Sequence, residues 1–307
     1  MGHVFLIQFI LGAILIYYGA EYLVKASTQI ASYFNISSMV VGITIVALGT
    51  SLPELVVSII ANINDEQGMV VGNVFGSNIA NIGLVLGLVS IIKPITNKFK
   101  EVATDLYFLL FITTLSIFFI YWGDLLFWQG LFLIFILIIY SLNLVYRNKI
   151  DDDNIGKDKK NIFVAILKLL IGIFGLSFGS HYFVKGASGI ANFLGVSSLV
   201  IGMSIVALGT SLPELATSLV AAKRNKADFI IGNIIGSNIY NILAVLGISI
   251  MVRPIRINFE EIFFHSNILL FFTLILFYLI KNYSSISKLI GILLLSIYTT
   301  FIYFNFL

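Results

Sequence analysis

The sequence predicts an all-α membrane protein of ten transmembrane helices, arranged as two inverted five-helix repeats with proline-broken helices at the centre. Three observations lead there: a composition that has lipid as its solvent, a self-similarity at a spacing of 160 residues, and a proline at the same place in the second apolar span of each copy.

Of the 307 residues, 59% are hydrophobic and 11% are charged, whereas about 25% of an average soluble domain is charged. The formal net charge of +3 is small and its basic residues are scattered rather than interleaved with aromatics, so a nucleic-acid partner is not expected. Zero cysteines exclude disulfides, thiolate metal sites, iron–sulfur clusters and a cysteine nucleophile, and say nothing about redox compartment. Hard oxygen ligands are what remain plentiful.

Crossing a hydrocarbon core takes roughly 20 apolar residues. Stretches of that kind fall at about 4–31, 38–62, 68–92, 102–122, 125–146, 162–193, 198–222, 229–252, 261–280 and 285–306. Met1-Gly2-His3 leads straight into the first without a basic n-region or small-residue cleavage site, which suits a first span rather than a signal peptide. The chain is thereby divided into a first repeat (1–146), a charged linker (147–161, with Asp151-Asp152-Asp153 and Lys157-Asp158-Lys159-Lys160) and a second repeat (162–307). Loops after odd-numbered spans hold nearly all the basic loop residues, among them Lys93, Lys98, Lys100, Arg147, Lys223 and Arg224, while those after even-numbered spans hold only Arg253 and Arg256. Because cytoplasmic loops carry the excess of Lys and Arg, the linker should be cytoplasmic and both termini should face outside a cell membrane.

Val41–Leu55 (VGITIVALGTSLPEL) realigns with Ile201–Leu215 (IGMSIVALGTSLPEL), Val71–Ile82 (VGNVFGSNIANI) with Ile231–Ile242 (IGNIIGSNIYNI), and Lys93-Pro94 with Arg253-Pro254. With five spans in each half, the second half enters the membrane with the opposite polarity. Inverted repeats with interrupted helices in matching positions point to a secondary transporter whose site lies near the midplane, between the repeats.

The chemistry of the repeated motif agrees. Pro53 and Pro213 lack an N–H, and each ring collides with the carbonyl four residues back, at Gly49 and Gly209, so each helix must break or kink. Free carbonyls at membrane depth need a cavity or another partner. Glu54 and Glu214 follow the breaks about midway along their spans, where a carboxylate costs on the order of 3 kcal/mol and requires a partner. They read as the only deeply buried charges in the chain, with every basic residue in a loop or near a span end, and unpaired carboxylates of this kind call for protons or cations. Ser51-Leu52-Pro53-Glu54 also fits a capping box, in which Ser51 caps the resumed helix and Glu54 reaches back to it. In the second motif, Gly72, Gly76, Gly232 and Gly236 have the small-xxx-small spacing that lets helix backbones approach. Ser77 and Asn81 share one helix face, as do Ser237 and Asn241. Asn73, Asn78, Asn233 and Asn238 point elsewhere and are expected to bond helix to helix.

Together these residues supply two carboxylates, hydroxyls from Thr50, Ser51, Thr210, Ser211, Ser77 and Ser237, amides from Asn81 and Asn241, and broken-helix carbonyls. All are oxygen donors of the kind calcium takes. Zinc and copper prefer imidazole or thiolate, and His3, His181 and His265 are dispersed. Two carboxylates balance one divalent ion and could equally hold sodium ions or protons, which is how exchange at one site would arise.

GTSLPE and GSNIxNI in both halves of a ten-span chain closely resemble the α-repeats of the sodium/calcium exchanger family of calcium:cation antiporters, prokaryotic in type. The likeness runs over essentially the whole chain. It implies exchange of calcium for sodium, or in some branches protons, by alternating access, with no enzymatic activity and no cofactor. It further implies a site made by the second and third spans and their repeat mates, with the long first and sixth spans sliding across it as a gate, and a monomer as the functional unit. Carried over by motif position, the ligands would be Glu54 and Glu214 with Thr50, Thr210, Ser77, Ser237, Asn81 and Asn241, joined by the carbonyls of Ala47 and Ala207 for sodium, with Ser51 and Ser211 ranked lower. Some members carry Asp where this chain has Asn241, which leaves two carboxylates instead of three and bears on the coupling ion and stoichiometry. A proton-coupled exchanger of calcium, manganese or magnesium would use the same oxygens. A membrane-embedded lipid-phosphate hydrolase would need Arg or Lys beside the carboxylates, and there is none.

Overall fold

A computed structural model of the chain describes residues 2–147, 161–195 and 207–304, and it is all-helical apart from two two-residue strands. Seven of its helices are long and apolar enough to cross a membrane, and there is an eighth span if the bent pair Ser38–Thr50 and Leu52–Ile63 is counted as one. In chain order these are α1 (Gly2–Tyr33), α2 (Ser38–Thr50), α3 (Leu52–Ile63), α4 (Gln67–Ile92), α5 (Phe99–Trp122) and α6 (Phe127–Arg147), then α7 (Ile162–Phe193), α8 (Leu212–Lys223), α9 (Ala227–Val252), α10 (Phe259–Asn282) and the shorter apolar α11 (Lys288–Phe304). Most of the span expected at 198–222 before Ala207 lies outside the described residues. Two expected boundaries move. Arg147, read as the start of the linker, is the last residue of α6, and Asn161, read as its end, caps α7 by accepting from the Phe163 N–H at 3.1 Å.

The centre of the bundle is α9, buried along its length from Phe229 to Val245, with α4 beside it. The close approach that brings α2 onto α9 depends on two glycines: a Cβ at Gly232 would lie 2.6 Å from the Met39 carbonyl oxygen, and one at Gly236 would lie 2.6 Å from the Ile43 Cα. Their repeat mates Gly72 and Gly76 meet no described residue, and the mates of Met39 and Ile43, Leu199 and Met203, lie outside the described residues.

The two motifs break their helices in the same way. α2 ends at Thr50, Ser51 takes φ −83° and ψ 2°, and α3 starts at Leu52 with Pro53 in its first turn, where a missing N–H is harmless. The axes of α2 and α3 differ by 41°. In the second copy a helical turn at Ala207–Gly209 precedes Ser211 at φ −85° and ψ 4°, and α8 begins at Leu212 with Pro213. Each resumed helix then turns back through a left-handed residue, Asp65 (φ 67°) or its mate Asn225 (φ 58°), types that tolerate that conformation. The return lays α4 on α3 and α9 on α8, glutamate helix against asparagine helix.

Short pairings close the ends of the bundle. Ile95 pairs with Ile286 antiparallel, and Leu125 bridges Ile255. Ile95 and its repeat mate Ile255 thus sit at opposite ends of α5, a helix of 24 residues that is about 36 Å long at 1.5 Å per residue.

Apart from this body lies the pair α1 and α7, 32 residues each. Glycines bring their backbones together: a Cβ at Gly172 would be 2.7 Å from the Leu23 nitrogen, one at Gly179 2.7 Å from the Ile16 nitrogen, and Gly12 and Gly186 face the backbones of Phe183 and Phe9 just as closely. Much of the outer surface of both helices is exposed and apolar, including Ile7, Ile14, Phe174 and Phe178, as lipid contact requires.

Candidate cation-binding site

Glu54 and Glu214, each in the first turn of its resumed helix, are both completely buried. They lie close enough for their charges to repel, and the Thr50 and Ser237 hydroxyls face the Glu214 carboxylate. Beyond the Thr50 and Ser237 hydroxyls that face Glu214, the four carboxylate oxygens have no partner among the described residues. An ionised carboxylate without partners at this depth is strongly disfavoured.

Around the pair, Thr50 donates or accepts across the repeats at 3.3 Å to Ser237, and its hydroxyl also donates to the Ala47 carbonyl at 3.3 Å. That carbonyl accepts in addition the Ser51 N–H at 3.0 Å. Asn81, buried, donates its amide to Oδ1 of Asn238 at 3.0 Å, and its own Oδ1 has no partner among the described residues. Neither amide atom of Asn241 has a partner among the described residues, and Asn241 too is fully buried. Ser77 is buried on the face of α4 that carries Asn81. Thr210 is only half-buried, following the turn that Ala207 begins.

The capping box does not form: neither Ser51 nor Ser211 caps its helix, and both hydroxyls are buried without partners among the described residues. That gives these serines a stronger claim on a ligand than their motif position alone. The other asparagines do bond helix to helix. Asn73 donates to the Ser58 hydroxyl at 2.8 Å and to the Glu54 carbonyl at 3.0 Å, Asn233 donates to the hydroxyls of Thr217 and Ser218, and Asn78 donates to the Asn238 carbonyl at 3.2 Å.

Two features were not foreseen. At Asn81–Leu86 and again at Asn241–Leu246 the helix widens into a π turn that starts on the site asparagine, a distortion often found at functional sites. Nor are the glutamates the only buried charges. Asp105 on α5 is also fully buried, but it accepts from the Tyr140 hydroxyl at 2.7 Å and pairs with Arg147, so it is compensated where the glutamates are not. The expectation of just two buried charges is therefore corrected: Arg147, at the end of its span, reaches inward to the third.

No three His, Asp or Glu side chains cluster as metal ligands among the described residues, so a cation here would draw on two carboxylates and neutral oxygens. The helix α7 passes directly over both motifs, Ile173 meeting Gly49 and Val184 meeting Gly209. A cavity of about 360 Å3 lies between α1, α7 and the Leu212, Leu215 and Leu219 face of α8. It is apolar and does not reach the glutamates.

Comparison with known proteins identifies the family. The family model of the sodium/calcium exchanger protein matches residues 4–146 and 164–307. The uncharacterized membrane protein MJ0091 of Methanocaldococcus jannaschii is 40% identical, with 94% of each chain covered. The sodium/calcium exchanger MaX1 of Methanosarcina acetivorans is 31% identical, over 95% of this chain and 96% of that one. Among solved structures, the sodium-calcium exchanger NCX_Mj soaked with 10 mM Na+ and zero Ca2+ superposes with a TM-score of 0.86 at 36% identity, covering 98% of both chains. A duplicated GTSLPE motif on broken helices, a family match across both halves and a full-length structural likeness place this chain in the sodium/calcium exchanger family.

Proposed function

We propose that the protein is a secondary active antiporter that exchanges calcium for sodium by alternating access. Its ions would bind between Glu54 and Glu214, with Thr50, Thr210, Ser77, Ser237, Asn81, Asn241, Ser51 and Ser211 and the carbonyls of Ala47 and Ala207 around them. The observation that carries this reading is a pair of fully buried carboxylates that no basic group among the described residues compensates. Two facing carboxylates share one divalent ion or are neutralised by smaller cations, and competition between those states couples the two fluxes. Ten spans in two inverted halves fit the family likeness, and the placement of Ile95 and Ile255 at opposite ends of α5 supports the inversion. Both termini would lie outside the cell membrane, and the gate would be the pair α1 and α7.

The test is ion flux in reconstituted vesicles. An outward sodium gradient should drive calcium uptake, and manganese and magnesium should be taken up less well. Uptake driven by a pH gradient, with sodium inert, would replace this reading with a proton-coupled exchanger. The amide at Asn241, in place of a third carboxylate, gives that experiment its importance.

A further inference from the structure

Glu21 lies on α1 with its side chain 13% exposed, and its Oε2 accepts from Arg224, at the end of α8, and from Lys25 at 3.1 Å. Among the described residues this is the one side-chain hydrogen bond or ion pair that joins the α1/α7 unit to the other helices; the rest of that contact is apolar packing. The glycine contacts make α1 and α7 one body, and α8 carries Glu214. Glu21 and Arg224 therefore connect the moving part of the proposed exchanger to half of its site.

The internal repeat shows that this tie is one-sided. The mates of Glu21 and Arg224 are His181 and Asn64, while Lys25 is matched by Lys185. When inverted halves exchange geometries, as alternating access requires, His181 would meet Asn64, and no carboxylate–guanidinium pair can form between them. One of the two arrangements thus holds a cross-helix ion pair that the other lacks, and a partly buried carboxylate is left with only Lys25 of its own helix on the way. Arg224 follows α8 at the same end as Lys93, whose ammonium donates to the Asn225 side chain, and Lys226.

We propose that Glu21 and Arg224 are positioning residues for exchange: they latch α1 to the end of α8, keep the site closed on the side of the lysine-rich loops, and bias the resting protein toward opening on the opposite side. The proposal rests on the exchanger reading, so its test uses a signal independent of the ion carried. The chain has no cysteine, and spin labels on I14C and F135C, both lipid-exposed positions on α1 and α6, report the gate-to-body distance in proteoliposomes. Glu21→Gln and Arg224→Gln should each move the balance between two distance populations about tenfold, the double variant should move it no further, and Arg224→Lys should resemble the parent. Calcium half-saturation at the two membrane faces should then shift in opposite directions in the Gln variants. The parent distribution in either Gln variant, or additive shifts in the double variant, would overturn the latch. Labels that move as expected in a protein that carries no calcium would leave the latch standing and remove the exchanger reading.

Discussion

At the scale of single residues, three buried carboxylates separate into two kinds by their partners. Asp105 is held by Tyr140 and Arg147, so its charge belongs to the scaffold. Glu54 and Glu214 face each other and hydroxyls, with nothing basic near them among the described residues, which is what the proposed cation site rests on. The distinction predicts that Asp105→Asn lowers stability by about 2 kcal/mol, because Arg147 can partly turn to the interface, and leaves calcium affinity at the parent value. Thermal unfolding and calcium titration of the same preparation check both halves. The sequence made the glutamates legible because a carboxylate midway along an apolar span, in both copies of one motif, requires a partner that no nearby basic residue supplies. Asp105 was missed because its partner Arg147 stands 42 residues away at a span end, and only the packing of α5 against α6 unites them. Glu21 went unnoticed for a similar reason: within a long apolar span it carries no motif, and its partner lies 203 residues further on.

At the scale of elements, the same proline break occurs in both halves, but the packing beyond each break was only partly legible in the sequence. The glycines of the second motif were expected to let helices approach, and Gly232 and Gly236 do so against the backbone of α2. The π turns at Asn81 and Asn241 have no signature in a single sequence, since a wider turn uses the same apolar residues as a regular one. The α1/α7 seam was visible only as scattered glycines, because a stripe on one helix shows its meaning when the facing helix is known. That seam supports a specific expectation. Gly186→Leu would drive a side chain into the Phe9 backbone and cost about 3 kcal/mol, whereas Gly68→Ala, whose added Cβ would find only the Ile257 side chain 3.9 Å away, should be neutral. Unfolding midpoints in detergent measure the difference, and equal midpoints would mean that the two long helices do not act as one body.

For the whole molecule, duplication explains both the symmetry and its exceptions. The paired broken helices, the paired left-handed turns at Asp65 and Asn225, and the end pairings at Ile95 and Ile255 all arise from one unit used twice. The departures, Glu21 against His181 and Arg224 against Asn64, are where one membrane face can be made different from the other. Orientation follows from the lysine and arginine residues of the loops and the coupling ion from the oxygen set of the proposed site, and neither is fixed by how the helices pack. The proposed site lies between Glu54 and Glu214, and its most direct test is equilibrium calcium binding to the purified protein. The account predicts about one calcium per chain in the parent and loss of that binding in both Glu54→Gln and Glu214→Gln. Parent-like binding in either variant would contradict it.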